Sequence, residues 1–134
     1  MEGIAMNDDT PTEPRGELQI RTLAMPADTN PSGDIFGGWV LSQMDVAGGI
    51  AASTLAKGRV ATVAVDGMTF HLPVFVGDIV CCYADIVRVG TTSVAVNVQT
   101  WALRSNSSER VLVTEGKFTY VAIGADRKPR PIAG

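Results

Sequence analysis

The sequence predicts an α+β domain, with one long helix laid against an antiparallel sheet of five to six strands. Three observations lead there. Apolar residues recur at helical spacing over a single stretch, Phe36 to Leu55. Nearly everything after Gly58 is strand-like, in runs rich in Val, Thr and aromatics. The connections between those runs are short, which favours sequential antiparallel pairing, and a lone helix must bury its apolar face on the sheet they form.

Taken in order, residues 1–16 are polar, carry Pro11 and Pro14, and read as a disordered tail. A single domain is expected over residues 17–123. Leu18 to Leu23 alternates in type and reads as its first strand. Asp28, Asn30, Pro31, Ser32 and Gly33 are turn residues and make a loop. The helix follows, with Phe36, Val40, Met44, Ala47, Ala51 and Leu55 on one face and Asp34 or Ser32 as its cap. Gly48, Gly49, Ala51, Ala52 and Ser53 keep it slender. A helix interior that tolerates glycines, at about 1 kcal/mol each, implies close approach of another element. Lys57 and Gly58 suit its end, a cation followed by a C′ glycine. Val60 to Val65 reads as a strand, with Met68 to Phe70 resuming after a break at Asp66-Gly67. Pro73 and Val76-Gly77-Asp78 make a turn. Ile79 to Val89, Ser93 to Leu103 and Val111 to Ile123 are long strands, the first two joined by a tight hairpin at Gly90-Thr91. Residues 124–134, with Pro129 and Pro131, read as an irregular tail.

Composition narrows the function. A net charge of −3 gives no general attraction to nucleic acid. There is no run long and apolar enough for a membrane span, and Met1 to Arg15 has no apolar leader, so a cytoplasmic protein is expected. A mean hydropathy of +0.17 is high for a lone small domain and favours a homo-oligomer. Cys81 and Cys82 are adjacent, so on a strand they face opposite ways and are expected to be free thiols. His71 is the only histidine, which leaves no basis for a His-rich metal site or a Ser-His-Asp triad. No P-loop, dinucleotide fingerprint or nucleophile elbow occurs.

What remains is the segment from Asn30 to Gly49. Gly37 and Gly38 fall in the first helical turn, where N–H groups lack intrahelical partners and a ligand can approach the backbone closely. Asp45 sits among Leu41, Ser42, Gly48 and Gly49, a small and partly apolar setting for a carboxylate that can serve as general base or nucleophile. Asn30 suits either a turn or a hydrogen bond to water or carbonyl. Residues alone point to a carbonyl-binding helix N-terminus with a carboxylate near it.

Met25 to Asn30, Gly33 to Trp39 and Ser42 to Asp45 resemble the hotdog-fold acyl-CoA thioesterases of the bacterial YciA type. So do Gly58 to Val63, Gly67 to Phe70, Val76 to Asp78, Val80 to Tyr83 and Gly90 to Ser93, which extends the likeness from about Leu18 to Val121. The resemblance implies a helix wrapped by a sheet, dimers with active sites at the subunit interface, and a trimer of dimers. It implies Asp45 as the catalytic carboxylate, Asn30 from the partner subunit as a positioning group, and the N–H of Gly38, with Gly37, as the carbonyl-polarising donors. It also implies that Arg88, Gly90, Thr91 and Thr92 hold the CoA nucleotide or phosphates. No cofactor is implied beyond the CoA of the substrate. Two departures stand out: Leu72 and Val89 occupy places that are often basic in such enzymes. The expected activity is hydrolysis of short-to-medium acyl-CoA, with a non-catalytic acyl-CoA sensor as the alternative. A hotdog dehydratase is disfavoured because Thr29 to Asp45 holds no histidine.

Overall fold

The computed structural model describes residues 12–105 and 107–132; most of the expected N-terminal tail therefore lies outside the described residues. Five strands and one long helix follow in the order β1 (Glu17–Leu23), α1 (Gly37–Ala56), β2 (Val60–Phe70), β3 (Ile79–Val89), β4 (Ser93–Leu103) and β5 (Arg110–Ala122), with a single 3-10 turn at Pro26–Asp28. All strands pair antiparallel, in the order β1-β3-β4-β5-β2.

That order corrects the expectation of sequential pairing. Only β3-β4 and β4-β5 are hairpin neighbours, while β1 pairs with β3 and β2 pairs with β5. The reason lies in the two connections that are not hairpins. One carries α1 across the sheet, and the other, residues 71–78, crosses from one edge back to the opposite side. The second is held rigidly: buried Asp78 accepts from Phe75 N (2.9 Å) and from Arg104, whose guanidinium also lies over the Phe75 ring.

The expected break at Asp66-Gly67 is a bulge within one continuous strand. Gly67 takes φ +59°, and the register with β5 shifts between Asp66 and Thr69. Cys81 and Cys82 are free and buried, as their adjacency predicts. Burial pushes the Cys82 thiol up to about 11.

The helix buries Val40, Met44, Ala47, Gly48, Ala52 and Ala56. Phe36 and Leu55, placed by spacing on that face, are 48% and 39% exposed. The apolar residues of α1 run most of the way round it, so spacing alone could not select the face that the sheet covers. Val46, at 53% exposed, belongs to a second apolar face. The C-terminus also differs from expectation. The left-handed residue is Lys57 (φ 56°), not Gly58. Gly58 leaves room for Arg130: a Cβ there would lie 2.5 Å from Arg130 Nη2, the far end of a long side chain, which donates to Ala56 O (2.8 Å) and so caps the helix. Arg130 comes from the segment after β5, which turns back through a bridge between Ile123 and Pro129 and places Ile132 N on Thr91 O (2.9 Å).

Candidate functional site

Asp45 lies in the third turn of α1, half-buried, on the side facing β2 and β5. Register brings its partners. Thr62 and Tyr120 are direct cross-strand neighbours, so their side chains leave the sheet together on the face that meets the helix. Thr62 Oγ1 donates to Asp45 Oδ1 at 2.7 Å. Tyr120 OH, in a fully buried side chain, lies 2.8 Å from Asp45 O and 3.1 Å from Asp45 Oδ1. Burial first, and then the facing carboxylate, hold the Tyr120 phenol protonated far above its ordinary range, so it stays a donor. With Oδ1 held in this way, Oδ2 makes no hydrogen bond to the described residues and is left for a ligand.

Gly48 makes this possible. A Cβ at that position would sit 2.3 Å from the Tyr120 hydroxyl and 3.0 Å from its ring. The close approach implied by a glycine-tolerant helix is therefore the approach of one tyrosine. Neither Thr62 nor Tyr120 was foreseen as part of the site. Seventeen and seventy-five residues away from Asp45, they reach it only through the β2-β5 register.

The helix N-terminus is organised differently. Neither Asp34 nor Ser32 caps it. The N-cap is Phe36, with no side-chain hydrogen bond, because the loop turns its polar groups inward on itself. Asn30 Oδ1 accepts from Ser32 N (2.9 Å) and Asp34 N (3.1 Å), so Asn30 is a turn former here, and its Nδ2 makes no hydrogen bond among the described residues. Trp39 N and Val40 N bond back to Phe36 O, while Gly37 N and Gly38 N have no acceptor among the described residues. Around Gly38 the space is open: nothing lies within 4 Å of where its Cβ would be. Two free N–H groups at a helix start suit an anion or a polarised carbonyl.

A cavity of about 300 Å³ opens beside this terminus, between Asn30, Gly37, Val40, Phe70, Leu72 and Thr114. Val40 and Phe70 line it, whereas Met44 is wholly buried in the core and Met68 packs over Gly116. His71, at its rim, pairs with Glu115 at 2.8 Å.

Gly38 and Asp45 share one helix and are seven residues apart, about 10 Å along its axis. The rise of the helix thus sets the carboxylate and the free N–H groups well apart within one protomer. Arg88, Gly90, Thr91 and Thr92 lie at the β3-β4 turn. The carbonyls of Thr91 and Thr92 are occupied by Ile132 N and Ala122 N, leaving the hydroxyls and the exposed Arg88 side chain outward. Leu72 and Val89 are both exposed, so no cation is supplied at either place. Among the described residues no three His, Cys, Asp or Glu side chains group as a metal site would need, and no helix is long and apolar enough to cross a membrane.

The family model of the thioesterase superfamily matches residues 32–108, a span that runs from the Asn30 loop to the loop between β4 and β5. The chain belongs to that superfamily. Among curated relatives, the acyl-CoA thioester hydrolase YciA of Salmonella typhimurium is 57% identical over 122 residues, covering 89% of this chain and 92% of that protein. Among solved structures, a hexameric thioesterase from Yersinia pestis is 53% identical with a TM-score of 0.88, covering 91% of this chain and 99% of that one. A hexameric broad-specificity acyl-coenzyme A thioesterase is 46% identical with a TM-score of 0.86, covering 91% of this chain and 84% of that one. The architecture of one helix on a five-stranded antiparallel sheet is thus the hotdog fold.

Proposed function

We propose that this protein is an acyl-CoA thioesterase whose active site is completed by a second copy of the chain. Water adds to the thioester carbonyl, the C–S bond breaks, and the products are a carboxylate, a proton and the free thiol of CoA. The reaction uses no metal or added cofactor. Gly38 N, with Gly37 N, holds the carbonyl oxygen as it gains negative charge. Asp45 Oδ2 takes the proton from water. Thr62, and the single Tyr120 proton shared between Asp45 O and Oδ1, fix the orientation of the carboxylate. Asn30 positions water or carbonyl through Nδ2. Arg88, Gly90, Thr91 and Thr92 hold the CoA nucleotide.

The observation that carries the reading is the seven-residue separation of Gly38 and Asp45 on one rigid helix. Antiparallel pairing of two copies sets Asp45 of one against the helix N-terminus of the other. Several features suit such a pairing: β2 is an edge strand of eleven residues, Val63 and Val65 on it are exposed, and Val46 and Ile50 extend the apolar surface over α1. Three such dimers would make a hexamer, as in the related hexameric thioesterases. A cytoplasmic location fits a substrate built on CoA. The acyl range in this reading is short to medium.

Thiol release from acetyl-, butyryl-, hexanoyl- and palmitoyl-CoA by wild type and Asp45→Asn is the direct test. Turnover lost in the variant with CoA binding retained is expected. Binding without turnover in wild type would make the protein an acyl-CoA sensor instead. Subunit mixing tests the shared site. Asp45→Asn and Asn30→Ala, each inactive alone, should recover about a quarter of wild-type activity when mixed, since half the dimers are then mixed and each holds one intact site. No recovery on mixing would place both residues in the same subunit's site.

A further inference from the structure

The chain carries a net charge of −3, yet one end of the fold is basic. The segment after β5 turns back, with Gly124 N on Lys128 O (2.9 Å), and beside it runs the entry to β2, where Ile123 N meets Arg59 O (3.0 Å). Arg59 and Lys128 therefore spring from backbone bonded to two successive residues. Lys57 and Arg127 adjoin them in the chain, and Arg88 lies on the β3-β4 hairpin, whose Thr91 O accepts from Ile132 N (2.9 Å). All five side chains are exposed, and none makes an ion pair among the described residues. Over residues 56–62, 86–93 and 120–132 the sole acid is Asp126, whose Oδ1 accepts from Lys128 N at 3.0 Å. The carbonyl end of α1 would repel an anion, and Arg130 offsets it by donating to Ala56 O. An open cavity of about 480 Å³ lies there, between Ser53, Lys57 and Arg59.

The distance suits the substrate. Lys57 is twelve residues beyond Asp45, about 18 Å along the axis of α1. In CoA about thirteen bonds separate the sulfur from the first phosphorus, a span of about 16 Å at the reach of an extended chain. A thioester at Asp45 whose arm follows α1 toward its C-terminus brings the diphosphate to this basic end. The opposite course meets acids. Asp28 and Asp34 stand near the start of α1, Leu72 supplies no charge, Arg104 is held by Asp78, and His71 pairs with Glu115.

We propose that Arg59 and Lys128 bind the phosphates of CoA, with the returning C-terminal segment as one wall of the site. The proposal rests on the thioesterase reading, and it adds to the β3-β4 turn two cations from distant parts of the chain. They supply charge that Leu72 and Val89 do not. Lys57, Arg88 and Arg127 reinforce the field, which draws a multiply charged ligand in from solution and weakens as salt screens it. Arg130 serves the wall rather than the ligand: its three nitrogens donate to Ile123 O, Pro131 O and Ala56 O.

The test compares kcat/KM for butyryl-CoA and for S-butyryl-pantetheine, which has the same thioester and arm but no phosphate. In the double variant Arg59→Ala/Lys128→Ala the value for butyryl-CoA should fall about tenfold or more, mostly through KM, while that for butyryl-pantetheine holds within about twofold. Arg59→Lys/Lys128→Arg, which keeps both charges, should restore most of the loss. Lys117→Ala, an exposed cation elsewhere, should change neither ester. Raising salt from 50 to 300 mM should depress wild type on butyryl-CoA more than it depresses the double variant. An unchanged value for butyryl-CoA in the double variant would overturn the proposal, as would an equal loss on both esters, which would mark a structural role. Wild type inactive on both esters would instead overturn the thioesterase reading and this proposal with it.

Discussion

At Asp45 the neighbouring donors are already in use; at Gly37 and Gly38 the donors are all free. Thr62 and Tyr120 hold one carboxylate oxygen, and Gly48 gives the tyrosine room to do so. Two turns earlier, the same helix begins without a side-chain cap, and the nearest polar loop bonds to itself rather than to the helix. The contrast shows a division of labour along one element. The carboxylate is oriented by its own protomer before any substrate arrives. The N-terminal end offers N–H groups with no acceptor among the described residues, which in the proposed reaction receive the thioester carbonyl. Preorganisation at one end and unmet donors at the other are two ways of favouring a transition state over solvent.

The comparison can be broken most severely at Asp45 itself. Asp45→Asn preserves shape and should lower kcat about 1,000-fold in the thiol-release assay, with little change in CoA affinity by calorimetry. A fall smaller than tenfold would remove Asp45 from the chemistry. Gly38→Ala probes the open end. Nothing in the protomer opposes the new methyl group, so thermal stability should hold or rise, whereas kcat/KM should drop about 100-fold because the substrate can no longer reach the backbone. Stability and activity falling together would mean that the open space has a structural use.

Gly48→Ala tests the closed end through packing. The Tyr120 ring must shift, which should cost about 1–3 kcal/mol in denaturant unfolding and reduce kcat by about tenfold as Asp45 loses its orientation. Tyr120→Phe is milder. It removes one donor from Oδ1 while Thr62 keeps its own, and kcat should drop about fivefold with a stability loss near 1 kcal/mol. The smallest effect is with pH. Because the phenol's proton is held well above the ordinary tyrosine range, kcat corrected for uncatalysed hydrolysis should stay within about twofold from pH 8 to 10. The stability sign runs the same way: the unfolded tyrosine ionises first, so its contribution is intact below about pH 10 and is lost as pH climbs further. An alkaline break near pH 9 that Tyr120→Phe abolishes would show a phenol less protected than its surroundings imply.

Much of this was legible in the sequence, and the parts that were not share a cause. Period and turn chemistry located α1 and the bounds of β3 and β4, since these depend on neighbours in the chain. The segment from Asn30 to Asp45 could be picked out as the candidate site, because the helix start and the carboxylate are local features. The partners of Asp45 were hidden. Thr62 and Tyr120 meet it only because β2 pairs with β5, and that pairing depends on how the 71–78 connection crosses the fold. The cap at the other end of α1 was hidden in the same way. Gly58 reads as a left-handed terminator, and only the return of Arg130 shows that it is a gap for a guanidinium.

The Gly48 contact also has a historical side. With tyrosine at position 120, any side chain at 48 collides with a hydroxyl only 2.3 Å away, whereas phenylalanine would leave ring atoms at 3.0 Å, a squeeze that small movements can relieve. The two positions can therefore change in one order more easily than in the other. A lineage that first trades the phenol for phenylalanine can later acquire alanine at 48. One that starts at 48 must pass through a displaced ring and a misaligned carboxylate. Paths through sequence space around this site are in that sense one-way streets, set by the width of a single oxygen atom.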